Sequence, residues 1–160
     1  MLTIVSGGQT GVDRAALDAA IEQNIPYRGW CPAGGWAEDL PNPPGVMALY
    51  AGLRPTPDAD TRLRTEWNVR DSRGLMVLID HAGLQLSNGT ILALDCAKRL
   101  GKPHLVIDID TGSAAELAAF FLDRTQGDLA INIGGPRESE APGIYLKARG
   151  FLSLVLAERR

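Results

Sequence analysis

The chain begins with an apolar, β-branched run, Leu2 to Ser6, that meets a glycine-rich turn and continues directly into an Ala- and Leu-rich helix, GGQTGVDRAALDAAI. In a parallel α/β sheet, such a junction places the backbone N–H groups of a helix N-terminus at the edge of the sheet where ligands bind. Those groups and the positive end of the helix dipole favour an anion, most often a phosphate. The pattern returns later in the chain, where the apolar run 129–133 precedes GGPRESEAPGIY. We therefore expect a ligand-binding protein whose separate glycine-rich loops meet beside one edge of a sheet.

Strand-like and helical patterns alternate along the chain. We predict strands over 2–6, 75–80, 105–109 and 129–133, and helices over 11–23, 60–72, 89–100, 113–122 and from 144 onward. The strands are apolar without interruption, which is typical of parallel strands that are buried on both faces. The sequence therefore predicts an α/β fold, with a mostly parallel sheet that is covered by helices on both sides.

The length of 160 residues suits one domain, over 1–160, with a real core. The segment 25–58 is rich in Gly, Pro and Trp, and we interpret it as an irregular lid or insertion over the ligand crevice. Within this lid segment, 46–50 is expected to be either a short strand or a turn of helix.

Charge and composition exclude several functions. The net charge of −3 and the interspersed charges argue against nucleic-acid binding and against a polybasic membrane patch. No apolar run approaches the length of a membrane span, and no leader pattern precedes the first strand. Two cysteines imply no disulfide framework, which fits the cytoplasm, and no Cys/His spacing resembles a zinc site.

The first loop, 7–14, offers several groups to a ligand. Its glycines permit close approach of the backbone, Thr10 offers a hydroxyl, and Arg14 could clamp a phosphate through two N–H groups. Asp13 would repel an anion, so it is expected to bond a ribose or pterin donor, to hold a bridging Mg²⁺, or to cap the helix. A plain tight turn is the alternative. The candidate binding residues of this loop are Gly7, Gly8, Gln9, Thr10, Gly11, Asp13 and Arg14.

Two further loops follow predicted strands. In the second loop, 87–90, backbone N–H groups and a hydroxyl should again face the crevice, although Ser or Asn before a helix is also a common cap. In the third loop, 134–139, a proline stiffens the turn, and an arginine and a serine are candidate phosphate partners. The candidate binding residues are Asn88, Gly89 and Thr90 in the second loop, and Gly134, Gly135, Pro136, Arg137 and Ser139 in the third.

Catalytic signatures are weak. The first loop lacks the lysine of a Walker A motif and departs from GxGxxG, and no GxSxG is present. Glu138 is the best placed carboxylate for general acid/base chemistry. The polar helix residues RTEWNVRDS are as well explained by a solvated face as by a ligand role. Trp30, Trp36 and Trp67 could stack on a flat heterocycle, or they could bury against one another.

Several motifs occur together in order: SGGQTGVDRAALDAA, GWCPAGGWAEDLP, RTEWNVRDS, NGT, GKP and NIGGPRES followed by PGIY. Together they resemble the putative molybdenum carrier family, a circularly permuted YpsA-like branch of the Rossmann-like superfamily that includes lysine decarboxylase-like and DprA proteins. The resemblance covers 2–145. It departs at Trp36, where the family has arginine, and at Ala93, where the phosphoribohydrolase branch carries the glutamate of GGxGTxxE.

The resemblance implies a Rossmann-like three-layer α/β/α sandwich that binds a small phosphorylated heterocycle in a glycine-lined crevice. The ligand would be the molybdenum cofactor (molybdopterin) or a nucleotide, and a carrier or sensor role is expected. The cofactor's own sulfurs would hold the metal, so no direct protein metal site is predicted. A hydrolase acting on a nucleotide glycosidic or phosphate bond, with Glu138 as its candidate, is the alternative. Relatives of the fold and the apolar helix faces also suggest a homodimer or homotetramer.

Overall fold

The computed structural model describes residues 1–81, 86–124, 129–157 and 159. Alternating strands and helices account for most of these residues. The strands are β1 (Leu2–Val5), β2 (Tyr27–Cys31), β3 (Leu53–Pro55), β4 (Gly74–Ile79), β5 (His104–Asp108) and β6 (Leu129–Gly134). The helices are α1 (Val12–Glu22), α2 (Thr61–Arg70), α3 (Asn88–Arg99), α4 (Ala114–Arg124) and α5 (Ile144–Ala157). Two short 3₁₀ helices cover Ala33–Gly35 and Gly45–Ala48.

The strands form one sheet with the order β3-β2-β1-β6-β4-β5, and every neighbouring pair is parallel. Strand β6 lies between β1 and β4, and its Asn132 is level with Val5 on one side and Leu75 on the other. The predicted α/β, Rossmann-like fold is thereby confirmed. Because β1, β6 and β4 are parallel neighbours, the loops that follow them leave the sheet at the same edge.

Helices cover both faces of the sheet. Ile131 and Ile133 of β6 pack with α1, α4 and α5 on the first face. Leu75 and Val77 of β4 pack with residues of α2 and α3 on the second face. Because side chains alternate along a strand, Asn132 lies on the second face with Leu75 and Val77.

The prediction for 25–58 was wrong at two places, because Tyr27–Cys31 and Leu53–Pro55 are the strands that extend the sheet beyond β1. Their sequences, YRGWC and LRP, are short and carry arginine, glycine or proline, which hid them from an apolar-run pattern. Gly29 is required in β2, since a Cβ there would lie 1.9 Å from the carbonyl oxygen of Ser6. The helical alternative for 46–50 is confirmed by the 3₁₀ helix Gly45–Ala48.

Within the described ranges, none of the helices combines the length and the apolar character needed to cross a lipid bilayer.

Candidate functional site

The three predicted loops surround one cavity of about 580 Å³. It lies at the carboxyl ends of β1, β6 and β4, between α2 and α3 on the second face of the sheet. The predicted residues that line it are Gly7, Gln9, Asp13, Asn88, Gly89, Thr90, Gly134, Gly135 and Arg137. Gly8, Thr10, Gly11, Arg14, Pro136 and Ser139 are not among its lining residues, so the structure divides the predicted set into a cavity wall and a supporting layer.

The cavity has an apolar floor and polar walls. Leu75 and Val77 form the floor on the sheet, beside the buried amide of Asn132. Helix α2 contributes Thr61, Arg62, Arg64, Thr65 and Asn68, and helix α3 contributes its first turns, 88–95. A volume of this size is in the range of ordinary small-molecule sites, in which a few polar groups fix the orientation of the ligand.

A buried ion pair joins the first loop to α2. Arg64 Nη1 donates to Asp13 Oδ2 at 3.1 Å, and the two side chains are only 10% and 14% exposed. Burial raises the pKa of the Asp13 carboxyl above its usual value, and the Arg64 guanidinium opposes that rise. Arg64 also lies against Gly7, where an added Cβ would meet its Nη1 at 1.9 Å. Arg64 therefore brings a positive charge to the cavity, and it is the partner that fixes Asp13.

Arg14 does not take the place expected of a phosphate clamp. Its guanidinium makes two hydrogen bonds to the Asp39 carboxylate, at 2.8 and 2.9 Å, and its Nε and Nη2 donate to the carbonyl oxygen of Gly8. Helix α1 turns this side chain away from the cavity, towards the lid segment. The arginine that lines the cavity next to the first loop is Arg64, which is 50 positions further along the chain.

Glu38 of the lid segment connects the first and third loops; we call this contact the Glu38 bridge. Its carboxylate accepts hydrogen bonds from Thr10 Oγ1, from Ser139 N at 3.3 Å and from Ser139 Oγ at 2.6 Å. Burial of Glu38 disfavours its charge, but the hydrogen bonds from Ser139 and Thr10 prevail and hold its pKa below the usual value. Thr10 and Ser139, both predicted ligand partners, are thus engaged with the lid segment.

The glycines of the first and third loops allow the loops to touch. A Cβ on Gly11 would lie 2.2 Å from the Pro136 carbonyl oxygen, which accepts a hydrogen bond from Val12 N at 3.3 Å. Gly11 has a φ of 78° and Gly8 a φ of 75°, in the left-handed region that favours glycine. These glycines therefore shape the corner at which the two loops meet.

The second loop begins α3 as a capped helix. Ser87 Oγ accepts from Thr90 N at 3.2 Å and donates to Thr90 Oγ1 at 2.9 Å. Both the cap and the ligand interpretation of this loop are compatible with its position, because Asn88, Gly89 and Thr90 also line the cavity. The positive end of the α3 dipole therefore lies at the cavity.

The third loop places Arg137 at the rim. Its guanidinium carbon lies 5.5 Å from the centre of the Trp36 ring, and its Nε is 4.0 Å from Glu140 Oε1.

Glu138 has a different environment from the one expected of a catalytic acid. Its carboxylate accepts hydrogen bonds from Gly143 N and Tyr145 N, at the beginning of α5, and it is not among the cavity residues.

Two of the three tryptophans pair with each other. Trp30 and Trp67 meet edge to face with ring centres 4.8 Å apart, and Trp30 Nε1 donates to Asp71 at 2.7 Å. Asn68 makes two hydrogen bonds to the Trp30 backbone. Helix α2 therefore makes two kinds of contact. Its C-terminal half binds β2 through Trp67 and Asn68, while Arg64 and Thr65 face the cavity.

Sequence reasoning missed two important cavity residues, Arg64 and Asn132. For the helix that carries Arg64, the sequence left a solvated face and a ligand role as alternatives, and Arg64 is only 8% exposed. The signal that could have identified Asn132 is its position, since it interrupts the apolar run LAINI of a buried strand. A polar residue at such a position needs a partner.

Comparisons with known proteins show the family and the fold of the chain. Residues 4–156 match the circularly permutated YpsA SLOG family. The chain is also similar to a solved structure from Syntrophus aciditrophicus SB, which is described as a putative molybdenum carrier protein. The two chains share 38% identity with a TM-score of 0.83, over 97% of this chain and 94% of the other. No curated protein matches the chain.

Proposed function

Because the chain belongs to the circularly permuted YpsA SLOG family, we propose that it is a carrier or sensor that binds a small phosphorylated heterocycle without turning it over. The ligand we favour is the molybdenum cofactor, with a nucleotide as the second candidate of the same chemistry. The observation that supports this proposal most directly is the shared cavity, in which three glycine-containing loops, the N-terminus of α3 and three arginines, Arg62, Arg64 and Arg137, converge.

The phosphate end of the ligand would lie at the loops. Arg64 uses Nη1 for Asp13 and Nε for the Thr61 carbonyl oxygen, and among the described residues its Nη2 has no hydrogen-bond partner. That N–H group, the backbone of Gly7 and the first turn of α3 offer donors and positive potential to an anion. Arg137 would add a second positive charge at the rim.

The ring end of the ligand would lie deeper, on Leu75 and Val77. An apolar floor suits the faces of a pterin or a nucleobase, and the neighbouring amides suit its polar edge. The donors in the cavity are arginines, amides and backbone N–H groups, which fit the phosphate and ring of molybdopterin. When bound, the cofactor would supply the sulfur ligands of its own metal. The carrier description of the 38% identical relative is in line with this assignment.

Isothermal titration calorimetry with AMP and GMP, combined with native mass spectrometry of freshly purified protein, tests the proposal. We expect saturable binding, or a retained ligand of pterin or nucleotide mass, and recovery of the added nucleotide unchanged. Arg64→Lys and Arg137→Gln should each weaken binding about 10-fold, as expected for the loss of a charge-assisted hydrogen bond. Arg64→Lys keeps the charge beside Asp13, so that the fold is retained.

Arg99→Gln is the matched control, because Arg99 is an exposed residue in the last turn of α3, outside the cavity. It should leave binding unchanged. The proposal fails if no phosphorylated ligand is retained and none binds saturably, or if the arginine variants bind as well as the control. Conversion of the nucleotide to a product would instead favour a hydrolase.

A further inference from the structure

Asn132 is a largely buried polar residue in the centre of the sheet, and it lines the cavity. The residue is 7% exposed. Within the described part of the chain, no hydrogen bond reaches its amide nitrogen or its amide oxygen. Buried amides are usually hydrogen-bonded, and the Asn132 amide is not fully enclosed, so water or a ligand in the cavity can reach it. A partner from outside the chain is therefore the natural explanation for this residue.

The surroundings of Asn132 limit what that partner can be. Its two neighbours in the sheet register are the apolar residues Val5 and Leu75, and Leu75 lies beside it on the cavity floor. The charged residues that line the cavity belong to the helices and to the segment after β6 rather than to the floor: Asp13, Arg62, Arg64, Asp95, Arg137 and Glu140. The partner of Asn132 is therefore expected to be the polar edge of a largely flat, apolar group.

Gln9 shows how a second amide in the same cavity is already committed. Its Oε1 accepts hydrogen bonds from Thr10 N and Glu38 N, both at 3.0 Å. The donor Nε2 is therefore the group of this side chain that is left for a ligand. Asn132 has no such constraint and offers both a donor and an acceptor. Gln9 and Asn132 are thus not equivalent: of these two amides, Asn132 alone can pair with a donor and an acceptor at once.

We infer that Asn132 is the specificity-determining residue of the cavity, and that it hydrogen-bonds a heterocycle edge on which a donor stands next to an acceptor. The inference rests on the proposed function, since it requires a ring to lie on the cavity floor. The 6-amino group and ring nitrogen of adenine, and the N–H and carbonyl of the lactam shared by guanine and pterin, present such an edge. An asparagine amide pairs with these edges through two hydrogen bonds.

Because of this pairing, the cavity should bind rings that lack such an edge more weakly. A ring without exocyclic groups would cover the Asn132 amide and leave it unsatisfied, and sites of this kind discriminate strongly against such analogues. Affinity for the phosphate end should not depend on Asn132, because that end contacts the loops.

Calorimetry with four probes measures the contributions of the ring and the phosphate separately. The probes are AMP, GMP, purine riboside 5′-monophosphate, which has no exocyclic ring group, and ribose 5-phosphate, which has no base. The wild-type protein should bind the better of AMP and GMP at least about 10-fold more tightly than purine riboside 5′-monophosphate. In Asn132→Ala this ratio should fall below about 3-fold, while the affinity for ribose 5-phosphate stays the same. Asn42→Ala, at an exposed position outside the cavity, should behave as wild type.

Thermal unfolding without ligand provides the second readout. Because the Asn132 amide makes no hydrogen bond to the described residues, Asn132→Ala should not lower the melting temperature, and a clear drop would indicate a structural role and overturn the inference. Two further outcomes would overturn the inference and leave the proposed function intact. In the first, ribose 5-phosphate binds but the wild-type protein does not discriminate between the nucleotides and purine riboside 5′-monophosphate. In the second, Asn132→Ala leaves the affinity ratio unchanged. Failure of all four probes to bind overturns this inference, and it overturns the proposed function as well if the freshly purified protein retains no phosphorylated ligand.

Discussion

Gly89 and Gly135 both line the cavity, but a side chain at these two positions would meet different surroundings. A Cβ on Gly89 has open space around it, whereas a Cβ on Gly135 would lie 2.3 Å from the Leu78 carbonyl oxygen and 2.7 Å from Val12. Gly89 is therefore free to contact a ligand through its backbone, while Gly135 is required by the packing of β6 against β4 and α1.

These surroundings predict opposite effects of the same substitution. Gly89→Ala should keep or raise the free energy of unfolding, by up to about 1 kcal/mol, because alanine favours helix over glycine. It should nevertheless weaken binding of AMP or GMP, since its methyl group occupies the space in front of the α3 N-terminus. Gly135→Ala should lower stability. Chemical denaturation and calorimetry on both variants measure these effects; unaltered ligand affinity in Gly89→Ala would place the phosphate elsewhere.

The Glu38 bridge has a defined pH dependence. The pKa of this carboxyl lies below its usual value of 4.5, so its contribution to stability is complete above pH 4.5 and is lost as the pH falls through the lowered pKa. Glu38→Gln should cost about 1–2 kcal/mol of unfolding free energy at pH 7. The difference from wild type should shrink as the pH falls below 4.5.

Urea unfolding of wild type and Glu38→Gln at a series of pH values measures this difference. Glu116→Gln, in the first turn of α4 and away from the two loops, serves as the control. A difference that stays constant from pH 7 to pH 3 would show that the charge of Glu38 is unimportant to the bridge.

Arg14 and Arg64, which both lie near the first loop, show which side-chain positions can be predicted from the sequence and which cannot. Arg14 was expected at the ligand because it is adjacent in sequence, but the direction of a side chain on α1 depends on the lid segment and on Asp39. Arg64 lies on a polar helix whose sequence fitted a solvated face as well as a ligand role. Which arginine reaches the cavity depends on packing between distant segments, and a local pattern does not contain that information.

At the scale of elements, the C-terminal end of α2 is held by a lysine from outside the helix. Lys102 Nζ donates to the carbonyl oxygens of Val69, at 2.9 Å, and of Arg70 and Ser72. These groups lie at the negative end of the helix dipole, where a cation is stabilising. The contact fixes the helix that carries Arg64 to the cavity.

Lys102→Met should therefore lower the free energy of unfolding by about 1–2 kcal/mol. It should also increase hydrogen exchange at the amides of the last turn of α2. Denaturant unfolding and exchange measured by mass spectrometry provide the two readouts. Lys98→Met, an exposed lysine in the last turn of α3, should change stability by less than about 0.5 kcal/mol. Equal effects of the two substitutions would argue against the capping role of Lys102.

Elements differed in how well the sequence predicted them. Strands β4 and β6 are buried along almost their whole length, and a continuous apolar run identifies such strands. Strands β2 and β3 lie towards one side of the sheet, where fewer apolar residues are needed, and their residues did not form a recognisable pattern. The edge strand β5 was nevertheless predicted over 105–109 from its mostly apolar run, so a position at the side does not by itself hide a strand.

At the scale of the whole molecule, the convergence of the separate glycine corners was predictable because it follows from the topology of parallel strands. Once strands 2–6 and 129–133 belong to one parallel sheet, their carboxyl ends share an edge. That the two strands are direct neighbours, so that Val12 N and the Pro136 carbonyl oxygen form a hydrogen bond, was not predictable, because no local pattern gives the order of strands. Assembly of the chain into a homodimer or homotetramer remains a prediction from the sequence.

The position of β6 has a consequence for the newborn chain on the ribosome. Among the described strands, β6 is translated last, yet it occupies the gap between β1 and β4 at the middle of the sheet. Until it emerges, the earlier strands have no common partner, and the floor around Asn132 and Gly134 does not exist. A chain whose synthesis stops before β6 therefore cannot form this cavity.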